Sequence, residues 1–386
     1  MTVSTPRIPL SSPDLDEATV DRVVSVLRSP TLSLGPELEE FETAFAEMAE
    51  TPFAVAVNSG TSGLHLAVRT LGLSTGDEAI TTPFSFIASA NCLLFEDATP
   101  VFVDVDPDTL VMDMDQARAA VTQRTRALLP VHVFGNAVDM EAVEALRVQH
   151  GLGVIEDACE AVGGRRQGSR LGSLGDFGVF GFYPNKQMTT GEGGIVVCSH
   201  PDHAARLRSL RNQGRSPSGD CSFAELGYNY RMSDITAAVG LMQVRKLGAM
   251  LDKRREVERR YCELLGDIEE IRFPIAPADE LAGDRRSPFV FTVQCAEASL
   301  RDAVREHLLA QGIQNAVYFR PIHLEGFYRD RFGFREGQFP HTERAGQTCL
   351  AIPFFNELSH ADQERVAEAV REAVVAWLRA STVAAH

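Results

Sequence analysis

Three short stretches of this 386-residue chain carry side chains whose types and spacing can do chemistry. Asn58-Ser59-Gly60-Thr61-Ser62-Gly63 follows the apolar run FAVAV and opens an amphipathic one. Backbone N–H groups and hydroxyls at a helix start make an anion site, helped by the helix dipole, and phosphate is the obvious anion. An ordinary N-cap uses the same residue types, and taken alone this stretch reads as a cap. No Gly-Lys-Ser/Thr follows, so it is not a P-loop. Glu156-Asp157 closes the run GVIED. In open α/β sheets, ligands collect at the carboxyl ends of strands. An Asp there can pair with a protonated ring nitrogen, as a pyridoxal cofactor requires, and capping of the next helix explains it equally well. No His-rich cluster surrounds it, which argues against a metal. Lys186 lies in the loop YPNKQMTTGEG between two apolar runs. A lysine whose ammonium form is destabilised there can form a Schiff base, although a loop lysine is more often a solvated charge. Singly, each stretch is ordinary. Together they give a phosphate cradle, a ring-nitrogen acid and an amine in the chain order of one cofactor site.

Those three loops need a frame that brings them together. Residues 14–28 place apolar side chains at helical spacing, and Ser33-Leu34-Gly35-Pro36 separates them from a second helical run, ELEEFETAFAEMAE. Strands and helices then alternate: FAVAV, the helix SGTSGLHLAVRTLGL, EAIT, a helical run near IASANCLLFE, PVFVDV, ALLPVHVF, a helix near 140–150, and GVIED. This order predicts an α/β fold with a large, mostly parallel sheet covered by helices on both faces. Near residue 176 the pattern changes to the short strands DFGVFGF and GGIVVCS, which flank the Lys186 loop. A helical stretch from Ser233 to Leu265, heavily charged in its second half, links to a smaller C-terminal α/β domain. The expected division is a large domain over 1–248 and a small one over 249–386. In the small domain FVFTVQC reads as a strand, ASLRDAVREHLLAQG as a helix, 318–355 as loop-rich, and 360–379 as a last helix. The terminal STVAAH is expected to fray.

Composition narrows the partners. Lys plus Arg is 37 against 53 Asp plus Glu, a net charge of −16. Such a surface repels nucleic acid and anionic membranes, so an anionic ligand must be held by a local set of donors. The seven cysteines are scattered without a CxxC pair, as expected of reduced thiols. The first residues hold no apolar h-region, and runs such as ALLPVHVFG are too short to span a bilayer. A cytoplasmic protein without a membrane or nucleic-acid partner is the expectation.

With these residues in view, the chain resembles the DegT/DnrJ/EryC1/StrS family of pyridoxal-phosphate-dependent sugar aminotransferases. The likeness begins at LSLGPELEEFETAFAE and continues through VNSGTSGLHLAVRTLGLSTGDEAITTPFSFIASAN, VIEDACEAVGG, FGFYPNKQMTTGEGG and LGYNYRMSDITAAVGLMQ. It reaches YFRPIHL and FPHTERAGQTCLAIPFF near the C-terminus. The resemblance implies the aspartate aminotransferase (type I) fold and pyridoxal 5'-phosphate as cofactor. It implies that Lys186 is the Schiff-base lysine and the acid/base of proton transfer, and that Asp157 keeps the pyridine nitrogen protonated. Phe86 would stack on the ring, and Gly60, Thr61 and Ser62 would bind the phosphate. Asn229 would reach the phosphate of a neighbouring subunit, which implies a homodimer with shared active sites; Arg231 would support that loop or form a surface ion pair.

Two positions depart from the family pattern. Gly181 stands where a serine often meets the phosphate, which shifts the burden to backbone groups and Asn229. Glu160 stands where Gln or His often contacts the phenolic oxygen of the cofactor. A carboxylate there must be protonated or turned away at neutral pH. Glu also occurs there in perosamine-synthase-like relatives, which aminate C4 of nucleotide-linked 4-keto-6-deoxy sugars. The resemblance therefore implies a ping-pong reaction with L-glutamate as donor and a nucleotide-linked keto-sugar as acceptor. Tyr318, Arg320 and His323 are candidates to line the sugar pocket, and Arg211 and Arg215 to meet substrate phosphates. For His323 a structural role competes, and for the two arginines a solvated one. Three rivals share the scaffold. A keto-sugar dehydratase would carry His in place of Lys186, a cyclitol aminotransferase would take a keto-inositol, and a non-catalytic sensor would have no need for the complete set.

Overall fold

The computed structural model describes residues 8–216, 222–275 and 283–384. Helix α1 (Glu17–Leu27) starts where the Asp16 carboxylate accepts from the Thr19 amide, and α2 (Pro36–Ala49) starts on Pro36, which needs no N–H in a first turn. Then come β1 (Phe53–Val57), α3 (Gly60–Leu71), β2 (Glu78–Thr81), α4 (Ala88–Leu94), β3 (Thr99–Phe102), α5 (Met114–Ala119), β4 (Thr125–Leu128), α6 (Met140–His150) and β5 (Gly153–Asp157). A small ribbon, β6 (Arg165–Arg166) and β7 (Ser169–Arg170), precedes β8 (Phe177–Gly181), β9 (Gly194–Cys198) and α7 (Pro201–Arg211).

Seven of these strands form one sheet in the order β1-β9-β8-β5-β4-β2-β3. Strand β9 runs antiparallel to both its neighbours, and the other pairs are parallel. Consequently β1, β8 and β5 end on the same side of the sheet. Alternate residues feed opposite layers. From β1, Val55 and Val57 enter the core formed with Leu64, Ile80, Leu128 and Phe177. Ala54 and Ala56 enter the other, formed with Phe41, Phe45, Phe180 and Leu241.

Helix α8 (Asp234–Leu265) connects this body to a second core. Its Ala237, Leu241, Leu247 and Leu251 pack in the large-sheet layer, whereas Val257, Tyr261 and Leu265 pack with the C-terminal elements. Those are β10 (Ile271–Arg272), β11 (Phe291–Cys295), α9 (Ala298–Ala310), α10 (Gly326–Phe332), α11 (Pro340–Thr348), β12 (Cys349–Ile352) and α12 (His360–Ala384). Strands β10, β11 and β12 form an antiparallel sheet. Ile8, from the other end of the chain, is buried in this core, and its amide donates to the Gly312 carbonyl at 3.2 Å.

Three readings of the sequence need correction. ALLPVHVF is not one strand: β4 stops at Leu128, and after Pro130 the chain makes a bridge from Val131 to Asp157 and a 3-10 turn at Val133–Gly135. Proline has no N–H to continue a ladder. The segment 318–355 is not loop-rich, since it holds α10, α11 and β12. STVAAH does not begin as a frayed end, because α12 continues to Ala384. No described helix is long and apolar enough to cross a membrane.

Candidate active site

The carboxyl ends of β1, β5 and β8 surround a cavity of about 570 Å³. Each contributes one of the three motif loops. After β1 the chain turns directly into α3, β5 ends on Asp157, and β8 leads through Gly181 to the Lys186 loop. Of the residues singled out in the sequence, Gly60, Thr61, Phe86, Asp157, Glu160, Lys186 and Tyr318 line this cavity.

Asp157 is buried at the cavity floor. Its Oδ2 accepts from Ser89 Oγ at 2.6 Å, and its Oδ1 accepts from the Cys159 amide at 3.2 Å. The Ser89 hydroxyl lies 2.6 Å from that of Ser85. Ser89, in the first turn of α4, is itself held by Ser85 from the loop before the helix, and so fixes the carboxylate's orientation.

Lys186 extends its Nζ to 3.3 Å from Glu160 Oε1 and 3.9 Å from the centroid of the Phe289 ring. The Arg254 guanidinium donates to the carbonyls of Lys186 and Phe289, fixing the lysine backbone against the wall that carries this ring. Burial holds Arg254 down to about 10. Glu160 Oε2 accepts from the Phe134 amide at 2.8 Å. Burial pushes the Glu160 carboxyl above its ordinary value, opposed by the Lys186 ammonium and the Phe134 hydrogen bond. Glu160 is therefore not turned away from the site: it pairs with the amine.

The anion cradle is at the start of α3. Ser59 caps the helix through its Oγ, which accepts from the Ser62 amide at 3.0 Å. The first N–H groups of a helix have no partner within it. Gly60 lies where the chain approaches β8: an added Cβ would stand 3.1 Å from Cys159 Sγ and 3.2 Å from Gly181 Cα. At Gly181 an added Cβ would meet Cys159 Sγ at 3.4 Å and Gly60 Cα at 3.6 Å. The two glycines thus let the start of α3 and the end of β8 approach closely, with Cys159 packed beside both.

Other candidates lie elsewhere. Ser62 is buried, its hydroxyl donating to Asn58 Oδ1 at 2.6 Å and lying 2.9 Å from Ser59 Oγ, outside the cavity lining. Asn229 is exposed, and Arg231 donates to Asn212 Oδ1 at 3.0 Å. The exposed Arg320 pairs with Glu325 at 3.2 Å. His323 is fully buried away from the cavity, with Nε2 at 3.1 Å from Glu343 Oε1. Arg211 is neither solvated nor a phosphate ligand in this fold, because it is buried in an ion pair with Glu42 and donates to the Ala56 carbonyl. Arg215 lies over the Phe223 ring at 5.8 Å.

Several lining residues carried no clear sequence signal. Ser89 was legible only as a hydroxyl in the helical run near IASANCLLFE, and Cys159 only by standing two residues after Asp157; Ser85, in the loop before that run, carried no signal of its own. Phe289 had none, since the fold brings it in from a distant segment; Asn185 and Phe319 stand beside Lys186 and Tyr318 in stretches already singled out, but nothing marked them individually. Asn185 Nδ2 donates to the Tyr318 hydroxyl at 3.3 Å, and Phe319 stacks on Phe134 with ring centroids 5.7 Å apart.

A pyridine ring with an aldehyde and a phosphate fits this donor set. Gly60 and Gly181 bring the start of α3 against the end of β8 with no side chain between them, the buried acid and the partly buried amine line the same cavity, and the exposed Phe86 ring lines it too. Fold and site together define a pyridoxal-phosphate-dependent aminotransferase. The chain belongs to the DegT/DnrJ/EryC1/StrS aminotransferase family, whose model matches residues 13–371. It is 37% identical over 373 residues to GDP-perosamine synthase of Caulobacter vibrioides, spanning 96% of this chain and 99% of that protein. The solved structure of DesV from S. venezuelae is 37% identical, with a TM-score of 0.88 over 95% of this chain and 98% of that one. Spr1654 from Streptococcus pneumoniae, solved in a PMP form, is 26% identical with a TM-score of 0.91, covering 97% and 99% of the two chains.

Proposed function

We propose that this protein moves an amino group from L-glutamate to a nucleotide-linked keto-sugar, of the 4-keto-6-deoxy class, in a ping-pong reaction with pyridoxal phosphate. The observation that carries the reading is the convergence of Lys186, Asp157 and the start of α3 on one cavity. Bound there, the cofactor supplies an electron sink for the bond-breaking at the amino-bearing carbon.

The chain's own groups do the rest. Lys186 Nζ is the amine that would hold the cofactor and the base that would move a proton at the donor's amino-bearing carbon. Asp157, oriented by Ser89 and the Cys159 amide, would pair with the cofactor's ring nitrogen and hold its proton in place. Glu160 neutralises the Lys186 ammonium and, with the Phe134 amide fixing its second oxygen, holds the amine in one position. The Gly60 and Thr61 amides would hold the phosphate, with the positive end of the α3 dipole behind them. Phe86 would stack on the cofactor ring, and Phe289, packed beside the Lys186 amine, would shield it from water. Tyr318, steadied by Asn185, offers a hydroxyl to the acceptor, and exposed Arg320 is available to its diphosphate. Donor and acceptor must occupy this one cavity in turn, as a ping-pong cycle requires.

The sugar class is supported by Glu160 and by likeness to a relative named GDP-perosamine synthase. In this reading the enzyme is a cytoplasmic homodimer, with the exposed Asn229 side chain of each subunit completing the phosphate site of the other. The test is the absorption spectrum of the protein with pyridoxal phosphate before and after L-glutamate, beside Lys186→Ala. Wild type should show the visible band of cofactor bound through lysine, and glutamate should remove it; the variant should lack it. A visible band unmoved by glutamate would sink the donor assignment, and no band at all would sink the reading of Lys186. Acceptance of a keto-inositol in place of every nucleotide keto-sugar tried would replace the acceptor class.

A further inference from the structure

Helix α3 carries more than the anion cradle. His65, one turn beyond it, is buried and uses both ring nitrogens: Nδ1 lies 3.1 Å from the Tyr230 hydroxyl and Nε2 2.9 Å from Glu96 Oε1. Glu96 is a hub. It also accepts from the Tyr228 hydroxyl at 3.2 Å and from Arg69 Nη1 at 2.7 Å. The Tyr228 and Tyr230 rings stack with centroids 5.0 Å apart and planes 11° apart, and the His65 ring packs against both.

Residues 228–231 are extended and docked edge-on. The Asn58 amide donates to the Tyr230 carbonyl at 2.9 Å, Val57 bridges Arg231, and Asn212 bridges Asn229. In an extended segment alternate side chains point to opposite faces, and a slip of one residue exchanges the faces. Tyr228 and Tyr230 point inward to His65 and Glu96, so Asn229 between them must point out, where it is exposed. The backbone bonds alone fix the segment's edge; the two tyrosine hydroxyls, anchored on Glu96 and His65, fix which face carries Asn229.

We infer that His65, Glu96, Tyr228 and Tyr230 are positioning residues that hold Asn229 outward for the partner subunit's phosphate site, from the same helix whose N-terminus binds the subunit's own phosphate. This rests on the composite-site reading given above. It ties the two halves of a shared site to one rigid element: α3 presents its amides to one cofactor and, through His65, presents Asn229 to the other.

The test is a double-mutant cycle on cofactor affinity, read by fluorescence titration of the apo-protein with pyridoxal phosphate. Tyr230→Phe keeps the stacked ring and removes the hydroxyl, and Glu96→Gln keeps the shape of the hub and removes its charge. Each should weaken binding by about five- to tenfold, the size expected for loss of one buried hydrogen bond passed on to the ligand. In an Asn229→Ala background the same changes should cost less than about twofold, because the group they position is gone. Equal losses in both backgrounds would overturn the inference, since the network would then act on α3 itself. So would wild-type affinity in Tyr230→Phe and Glu96→Gln while Asn229→Ala binds weakly. If Asn229→Ala alone binds normally while Lys186→Ala still abolishes the visible band, the composite site fails and this inference with it, and the aminotransferase reading stands. Sedimentation of each variant separates lost positioning from lost dimer.

Discussion

Glu160 Oε1 lies 3.3 Å from Lys186 Nζ, and Glu160 Oε2 accepts from the Phe134 amide at 2.8 Å. One oxygen is thus tied to the backbone and the other to the amine that is to react. The carboxyl is buried, and burial raises its pKa while Lys186 is the largest influence lowering it. A buried carboxyl tied to the backbone through one oxygen and facing the amine with the other holds the lysine side chain in a defined position.

That relationship has a measurable pH signature in the apo-protein. A carboxyl raised in the folded state binds more protons there than in the unfolded chain, so stability falls as pH rises from about 4.5 through its folded value. In Lys186→Ala the largest lowering influence is removed, the folded pKa rises further, and the loss with pH becomes steeper and extends higher. Urea denaturation at pH 5 and pH 8 should show Lys186→Ala close to wild type at the lower pH and about 3 kcal/mol less stable at the higher. Adding Glu160→Gln to Lys186→Ala should flatten the curve. A difference from wild type that is the same at both pH values would mean that Glu160 does not titrate against Lys186.

Asp157→Asn tests the ring-nitrogen role separately from binding. The shape is kept: the Asn oxygen can accept from the Cys159 amide, while its NH2 takes the place of Oδ2 and donates to the Ser89 hydroxyl oxygen. We expect pyridoxal phosphate affinity to change by less than about tenfold, while the glutamate half-reaction slows by about 10³, on the order of 4 kcal/mol of barrier. Stopped-flow decay of the visible band measures the second, and titration the first. A half-reaction slowed less than about tenfold would remove Asp157 from the mechanism.

Much of this site was readable because its parts are local. The cap at Ser59, the strand ending in Asp157 and the apolar runs around Lys186 each lie within a few residues of one another. What was not readable depends on distant partners. Arg211 looks like a helix-end cation until Glu42, from α2, buries it. His323 looks like a pocket residue until Glu343 and the packing around Phe339 enclose it. The entry of β9 between β1 and β8 leaves no mark in GGIVVCS beyond its being apolar, because strand order is a property of the sheet. The short elements α10, α11 and β12 were missed because four to nine residues carry too little periodicity to stand out. CLAI was the available signal for β12.

The glycine pair at the cradle should respond asymmetrically to added side chains. At Gly60 a Cβ meets Cys159 Sγ at 3.1 Å and Gly181 Cα at 3.2 Å, tighter than ordinary contact, so Gly60→Ala should weaken cofactor binding by about tenfold. Cys159→Ala in that background removes one of the two close atoms and should restore part of the loss. At Gly181 the nearest atoms are at 3.4 Å and 3.6 Å, which a Cβ accepts without movement. Gly181→Ser should fold normally and, by adding a hydroxyl beside the cradle, tighten binding by about five- to tenfold. Weaker binding in Gly181→Ser would show that the phosphate does not sit in front of Gly181.

His323 offers the sharpest contrast between a pocket residue and a structural one. Its ring is fully buried, 3.1 Å from Glu343 Oε1, and the same oxygen accepts from the Gly337 and Phe339 amides at 2.8 Å and 3.2 Å. Burial holds the imidazole below its ordinary 6.5, with Glu343 pulling the other way. The unfolded chain then binds more protons than the folded one below about 6.5, so stability is lost as pH falls through that region. His323→Gln removes the titration and strands part of the Glu343 network. It should cost about 2 kcal/mol at pH 7 and make stability fall less between pH 7 and pH 5 than in wild type. Below its melting temperature the variant should keep the wild-type KM for the sugar acceptor. A selective rise in that KM with unchanged melting would return His323 to the pocket, and would mean that α11 moves aside when the acceptor binds.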